Sequence, residues 1–365
     1  MPRTTLRTLR LCLSSLVAFA LLAGCARQGT HPPAQPGAGA VSLNGAGATF
    51  PYPLYSKWFS EYHTANPQVQ ISYQSIGSGG GIQALKNRTV DFGASDAPLS
   101  DEEMRAMPAP VVHIPTVAGA VVVAYRLPGL TRPLRLDGAV LATIYLGQIK
   151  RWNDPKLAAL NPEVNLPDLA IAVAHRSDGS GTTYLFTNYL AAISSEWVKA
   201  VGAGKSVNWP VGVGGKGNEG VAGTVKQLPG AIGYVELAYA KQNALSYAEL
   251  RNAADKFVAP TVASTTAAAA GAVEQMKGDV RVSIVNSPAP DAYPISGFTY
   301  LLVYRDQSDK TKGEVLTKFL GWAMKEGQQS AEPLGYAPLP EGVVAINQEA
   351  IRKLTFQGKP LTSEQ

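Results

Sequence analysis

The sequence predicts an α/β fold. Three observations carry this: apolar runs of strand length recur along the chain, stretches of helical apolar spacing separate them, and clusters of Gly, Ser and Thr stand at the junctions. An apolar share of 45% with a charged share of 16% suits packed cores and excludes a disordered chain. The length is enough for two domains once the N-terminal segment is set apart.

Residues 1–24 read as an export signal. Arg3, Arg7 and Arg10 form a positive start, and Leu11 to Ala23 is an apolar run too short and wrongly flanked to span a membrane. It ends in Leu22-Ala23-Gly24-Cys25, which resembles a bacterial lipobox. That resemblance implies that Cys25 becomes a lipidated N-terminus on the periplasmic or extracytoplasmic face of a bacterial membrane. Its place directly after the small residues favours this over an incidental cysteine behind an ordinary signal. Cys12 would leave with the signal, so the mature chain holds one Cys and no internal disulfide. Residues 25–42, rich in Pro, Gly, Ala and Gln, read as a flexible tether. Loss of three arginines lowers the net charge from +5 to about +2. No Lys/Arg stripe is interleaved with aromatics, which argues against nucleic-acid binding.

Further elements follow in order. Val69 to Gln74 alternates as a strand, Gly81 to Asn87 has the pattern of a short helix, and Val90 to Ala94 reads as a strand. Val117 to Tyr125 is a long Val-rich run of the kind found in buried strands. Ala139 to Leu146 looks helical. Leu169 to Ala174 is strand-like and Thr183 to Leu190 helix-like. Ala231 to Val235 and Phe298 to Tyr304 are further buried strands, and Glu314 to Glu326 is an amphipathic helix. The Ala/Thr-rich Pro260 to Ala272 fits either a helix or a surface loop. No internal sequence repeat is apparent.

In open α/β sheets, ligands gather beyond the carboxyl ends of strands. Four small-residue turns occupy such places: Gly45 to Pro51, Ile76 to Gly81, Asp91 to Pro98 and Arg176 to Thr182. The last is the most informative. A strand, a small-residue turn and a helix start leave backbone N–H groups pointing one way. Ser180 and Thr182 add hydroxyls, Gly179 and Gly181 permit close approach, and Arg176 adds a planar fork of N–H groups. A tetrahedral oxyanion fits that set, while an ordinary helix N-cap explains the Ser and Thr equally well on local grounds. Other motifs fail on context. Gly212 to Gly217 matches GxGxxG but follows Asn208-Trp209-Pro210 instead of a clean strand, and Gly217 stands where a P-loop needs Ser or Thr. No G-x-S-x-G nucleophile elbow surrounds Ser78 or Ser180. The four histidines (31, 63, 113, 175) lack metal-ligand spacing, and neither metal nor cofactor is expected. His175 reads as a packing or solvent residue; Tyr184, Phe186 and Tyr189 read as helix core.

Taken together, Gly45-Ala46-Gly47-Ala48-Thr49-Phe50-Pro51, Asp91 to Ser100, Asp178-Gly179-Ser180-Gly181-Thr182 and Leu228 to Glu236 resemble the periplasmic phosphate-binding proteins of phosphate-specific ABC transporters. The similarity runs from about Leu43 to the C-terminal region. It implies a two-lobed type II periplasmic-binding-protein fold, each lobe a mixed sheet flanked by helices, with a hinge between them. The lobes would be 43–123 with 297–365, and 124–296. It implies phosphate held by Thr49, Phe50 (through its N–H), Ser78 and Asp96 on the first lobe, and by Arg176, Ser180, Gly181 and Thr182 on the second. Asp178 would orient Arg176. The implied partners are inorganic phosphate and the ABC permease, the protein acting as a monomer and not as an enzyme. Gly79 departs from the family, whose members often carry a second Ser there.

Asp96 is the odd member, because a carboxylate repels an anion. Phosphate at neutral pH keeps a proton and can donate it, whereas sulfate has none. Without the resemblance, Asp96 would read as a turn residue before Ala97-Pro98. Rival readings are another oxyanion such as sulfate or molybdate, a phosphatase or phosphoesterase, and phosphate sensing without transport. Asp96 counts against the first, and no metal cluster or activated nucleophile supports the second.

Overall fold

Leu43 is fully buried in the first strand, β1 (Val41–Gly47), which starts when the Val41 N–H reaches the Gln68 carbonyl. β1 thus begins two residues inside the stretch expected as tether. The computed structural model describes residues 39–130 and 132–361, all within one compact unit, Gly39–Gln365. The expected signal, Cys25 and the tether up to residue 38 lie outside the described residues.

β1 runs into helix α1 (Tyr52–Ala65), whose Leu54, Tyr55, Trp58, Phe59 and Tyr62 recur at helical spacing and are all buried. Then come β2 (Val69–Ser75), α2 (Ser78–Lys86), β3 (Phe92–Ser95), α3 (Asp101–Arg105) and the long β4 (Val111–Tyr125). The next stretch gives β5 (Ala172–Arg176), α4 (Gly181–Ile193), β6 (Val213–Gly215), α5 (Gly217–Gln227), β7 (Ala231–Glu236) and β8 (Ser246–Tyr247). The chain returns through β9 (Ser296–Tyr304), α6 (Lys310–Ala323) and α7 (Glu341–Arg352). The Ala/Thr-rich stretch holds a helix, Val262–Ala269, with Thr265, Ala268 and Ala269 buried, so it is not a surface loop.

Nine strands form one mixed sheet in the order β2-β1-β3-β9-β4-β7-β5-β6, with β8 also paired to β4. The two expected sheets are therefore continuous, because β4 serves both. Its residues up to Ala120 pair with β9, and Val121 to Tyr125 pair with β7. Each half repeats one plan. Three parallel strands (β2, β1, β3; β6, β5, β7) are followed by an antiparallel strand sent from the other half, β9 in the first and β4 in the second. The repeat lies in topology, which needs only matching polarity and burial.

β4 starts at Val111, six residues before the expected Val117. Pro115 hides the earlier part, since a residue without an N–H seldom sits in a central strand. Here it lies at a register shift: Thr299 pairs with Val117 and Tyr300 with Pro115, leaving Thr116 over. The Thr116 hydroxyl donates to the Thr299 carbonyl (3.1 Å) and accepts from Tyr55 (2.9 Å).

Candidate functional site

The parallel strands of both halves end at one place. From the first half, β1 leads to Thr49 and Phe50, β2 to Ser78, and β3 to Asp96; from the second, β5 leads to Arg176, Asp178 and the start of α4. Thr49, Phe50, Ser78, Asp96, Arg176, Ser180 and Thr182 are all nearly or fully buried, and Gly181 is buried with them. Ser78 Oγ accepts the Gly181 N–H (3.0 Å) across the halves and the Asp96 N–H (3.3 Å). The Gly79 N–H donates to the Gly179 carbonyl at 2.8 Å. All nine residues singled out by sequence thus converge, with two differences from expectation. The Gly181 N–H is spent on Ser78 instead of standing free, and the Ser180 N–H goes to the Lys205 carbonyl (2.8 Å).

Glycine at 181 is obligatory for this approach, since a Cβ there would stand 2.4 Å from Asp96 Oδ2. At Gly79 the fit is tighter than usual but not closed: a Cβ there would lie 3.2 Å from the Gly179 Cα.

The structure shows the capping role of Ser180: its Oγ accepts the Thr183 N–H (3.0 Å) at the start of α4, and its hydroxyl hydrogen remains available. The first turns of α1, α2 and α4 carry no acid, so their positive ends are left for a guest; α5, which also starts at the site, carries Glu219 in its first turn. Away from the site, α3 fills its first turn with Asp101, Glu102 and Glu103.

Arg176 has 1% of its side chain exposed. Nε and Nη2 bind the two Asp178 oxygens (2.8 and 2.5 Å), Nη1 donates to Thr182 Oγ1 (3.3 Å), and its backbone N–H goes to the Tyr234 hydroxyl (3.0 Å). Burial alone would raise the Asp178 carboxyl, but the Arg176 hydrogen bonds and charge, with the Gly217 N–H, hold it below its ordinary value. Asp96 has the opposite fate. Oδ1 accepts from Thr299 (2.8 Å) and Oδ2 has no partner. Burial pushes its carboxyl up to about 7, against the Thr299 hydrogen bond and the Arg176 charge. The site therefore offers hydroxyl donors and one guanidinium around the unpaired Asp96 Oδ2, while Glu236, whose Oε2 meets Tyr336, keeps Oε1 as a second buried carboxylate oxygen without a partner.

Several participants escaped the sequence. Asn218 bridges Thr49 and Thr182. Tyr239 donates to the Thr49 carbonyl (2.6 Å), and Tyr336 lies within hydrogen-bonding reach of the Phe50 carbonyl (2.7 Å) and Glu236 Oε2 (3.1 Å). Burial holds Glu236 well above the ordinary carboxylate range. The glycine run 212–217, set aside as a nucleotide motif, is β6 and the start of α5; one signal for it was the abrupt glycine density before a helical pattern. His175 stacks on Trp209 (4.9 Å), and Phe186 and Tyr189 are core. Among the described residues no cluster of three His, Cys, Asp or Glu could hold a metal, and no helix is long and apolar enough to cross a membrane.

Residues 32–326 match the PBP superfamily domain, and the mixed sheet flanked by helices is that of a type II periplasmic-binding-protein fold. The phosphate-binding protein PstS of Haemophilus influenzae is 48% identical over 321 residues, covering 87% of this chain and 93% of its own. That of Pasteurella multocida is 46% identical over 306 residues, covering 84% and 88%. The chain belongs to the PstS family of phosphate-binding proteins. A solved high-affinity periplasmic phosphate-binding protein bound with phosphate shares the fold at TM-score 0.69 and 22% identity, over 85% of this chain and 93% of that one.

Proposed function

We propose that this protein binds inorganic phosphate between its two halves, outside the cytoplasmic membrane, and delivers it to the permease of an ABC transporter. It acts as a binding protein and not as an enzyme, and the relatives are named for binding. The observation that carries the reading is the pairing of convergent buried donors with a partnerless carboxylate oxygen, Asp96 Oδ2.

In this reading Thr49, the Phe50 N–H, Ser78 and Asp96 hold the ion from lobe 43–123 with 297–365. Arg176, Ser180, Gly181 and Thr182 hold it from lobe 124–296. Phosphate takes over the donors that Ser78 and Gly181 now share. A dehydrated oxyanion needs every lone pair satisfied, and neutral donors do this without piling up positive charge. Asp178 fixes the Arg176 fork. Asp96 accepts the hydrogen that phosphate carries, so sulfate meets an unmatched oxygen. Ligand joins contacts from both halves and so favours the closed form, the state a permease would read. A lipid on Cys25 would keep the monomeric protein at the membrane.

Titration calorimetry of protein lacking Cys25, with phosphate and sulfate from pH 5 to 9, tests this. Phosphate should bind and sulfate should not; equal binding of both would overturn it. Phosphate uptake by a strain lacking the gene separates transport from sensing.

A further inference from the structure

Asn218 lies in the first turn of α5, fully buried, and no motif of the sequence points to it. Its Oδ1 accepts the Glu236 N–H (2.9 Å), which fixes the way the amide faces. Nδ2 then turns to the site. One hydrogen goes to Thr49 Oγ1 of the first half (2.7 Å), the other to Thr182 Oγ1 of the second (3.2 Å). The Asn218 backbone N–H adds a second bond to Thr49 Oγ1 (3.2 Å), and Arg176 Nη1 adds one to Thr182 Oγ1 (3.3 Å).

A hydroxyl has two lone pairs and one hydrogen. In both threonines, both lone pairs face N–H donors, so the only bond left to each is donation of its own hydrogen. We propose that Asn218 is a positioning residue that locks Thr49 and Thr182 as donors, one from each half, and so presets them for an ion that can only accept there. Asn218 itself makes no contact with the ion. Its reach across the halves couples the preset to closure: Thr49 is held as a donor only when α5 has arrived. The Thr182 rotor, whose partners Arg176 and Asn218 share its half, is ordered before the halves meet, so binding does not have to order it. This inference rests on the phosphate reading above.

A double-mutant cycle tests it, with phosphate affinity measured by calorimetry for wild type, Asn218→Ala, Thr49→Val and the double variant. Asn218→Ala should weaken phosphate about ten- to hundredfold in the wild-type background. With Thr49→Val present, the same change should cost several-fold less, because one of the two hydroxyls it steers is gone while Thr182 remains. Equal losses in the two backgrounds would mean that Asn218 only supports the fold, and would overturn the proposal. Asn218→Asp covers a misfolded alanine variant. It keeps size and the acceptor for the Glu236 N–H but replaces the two hydrogens with an acceptor, turning the Thr49 hydrogen inward. Phosphate binding should then fall by at least about a hundredfold; wild-type affinity would overturn the proposal. If Thr49→Val itself binds phosphate as wild type does, the site assignment fails first, and this inference with it.

Discussion

Asp96→Asn should change how stability responds to pH. Asp96 is 2% exposed, and burial raises its carboxyl from an ordinary 3.8 to about 7. For an acid raised on folding, the neutral form is the one the fold prefers. Its contribution is complete below the unfolded value, near pH 4, and is lost as pH climbs through the folded value near 7. One unit is worth about 1.4 kcal/mol, so a gap of about three units costs the folded protein about 4 kcal/mol by pH 8. Asn cannot ionise and escapes that cost. Glu236, also buried, is raised by burial and in part by the Asp96 charge, so its share of the cost eases in the variant and adds in the same direction. Urea unfolding of phosphate-free protein at pH 4.5, 6 and 8 should show wild type losing about 3 kcal/mol relative to the variant across that range, most of it by pH 7. Parallel stability curves would refute a neutral Asp96 in the unliganded fold. The same variant should bind sulfate measurably, because it no longer presents a carboxylate to that ion; continued rejection of sulfate would remove Asp96 from selectivity.

Three further outcomes follow from the geometry. Asp178→Ala strands the buried Arg176 charge and should cost about 3–5 kcal/mol in urea unfolding, while Arg176→Lys, lacking the planar fork, should weaken phosphate by at least about a hundredfold in calorimetry. Glu103 and Lys205 pair across the halves at 2.5 Å with side chains 33% and 22% exposed. Glu103→Gln should speed phosphate release about two- to fivefold in stopped flow at low salt, with the difference shrinking at high salt. Gly181→Ala puts a Cβ against Asp96 and should abolish phosphate-induced compaction in small-angle scattering while leaving the helical circular dichroism intact.

Much of this architecture was legible because its signals are local. A Val-rich run reads as a buried strand whatever lies around it, and the turns at Thr49, Ser78, Asp96 and Arg176 are each written within a few residues. What escaped is nonlocal. Asn218 meets Thr49 across 169 positions, Tyr336 meets Glu236 across 100, and Thr299 meets Asp96 across 203. No spacing in one sequence reports such contacts. Pro115 misled for a different reason: its missing N–H is harmless only because the partner strand shifts register there. The Ala/Thr-rich helix was ambiguous because alanine suits both a packed face and an exposed one, and Thr265 and Ala268 decide it only by burial.

The interleaving of β9 between β3 and β4 has a consequence for how the polypeptide is made. A chain delivered N-terminus first presents β1, β2, β3 and β4, the last ending at Tyr125, while the strand that must join them starts only at Ser296. The intervening segment, by contrast, needs from upstream only β4, which has already emerged, to complete its own sheet. Assembly is therefore ordered by topology: the later-encoded half can finish early, and the earlier-encoded half waits with two strand edges open until Ser296 to Tyr304 arrives to seal them.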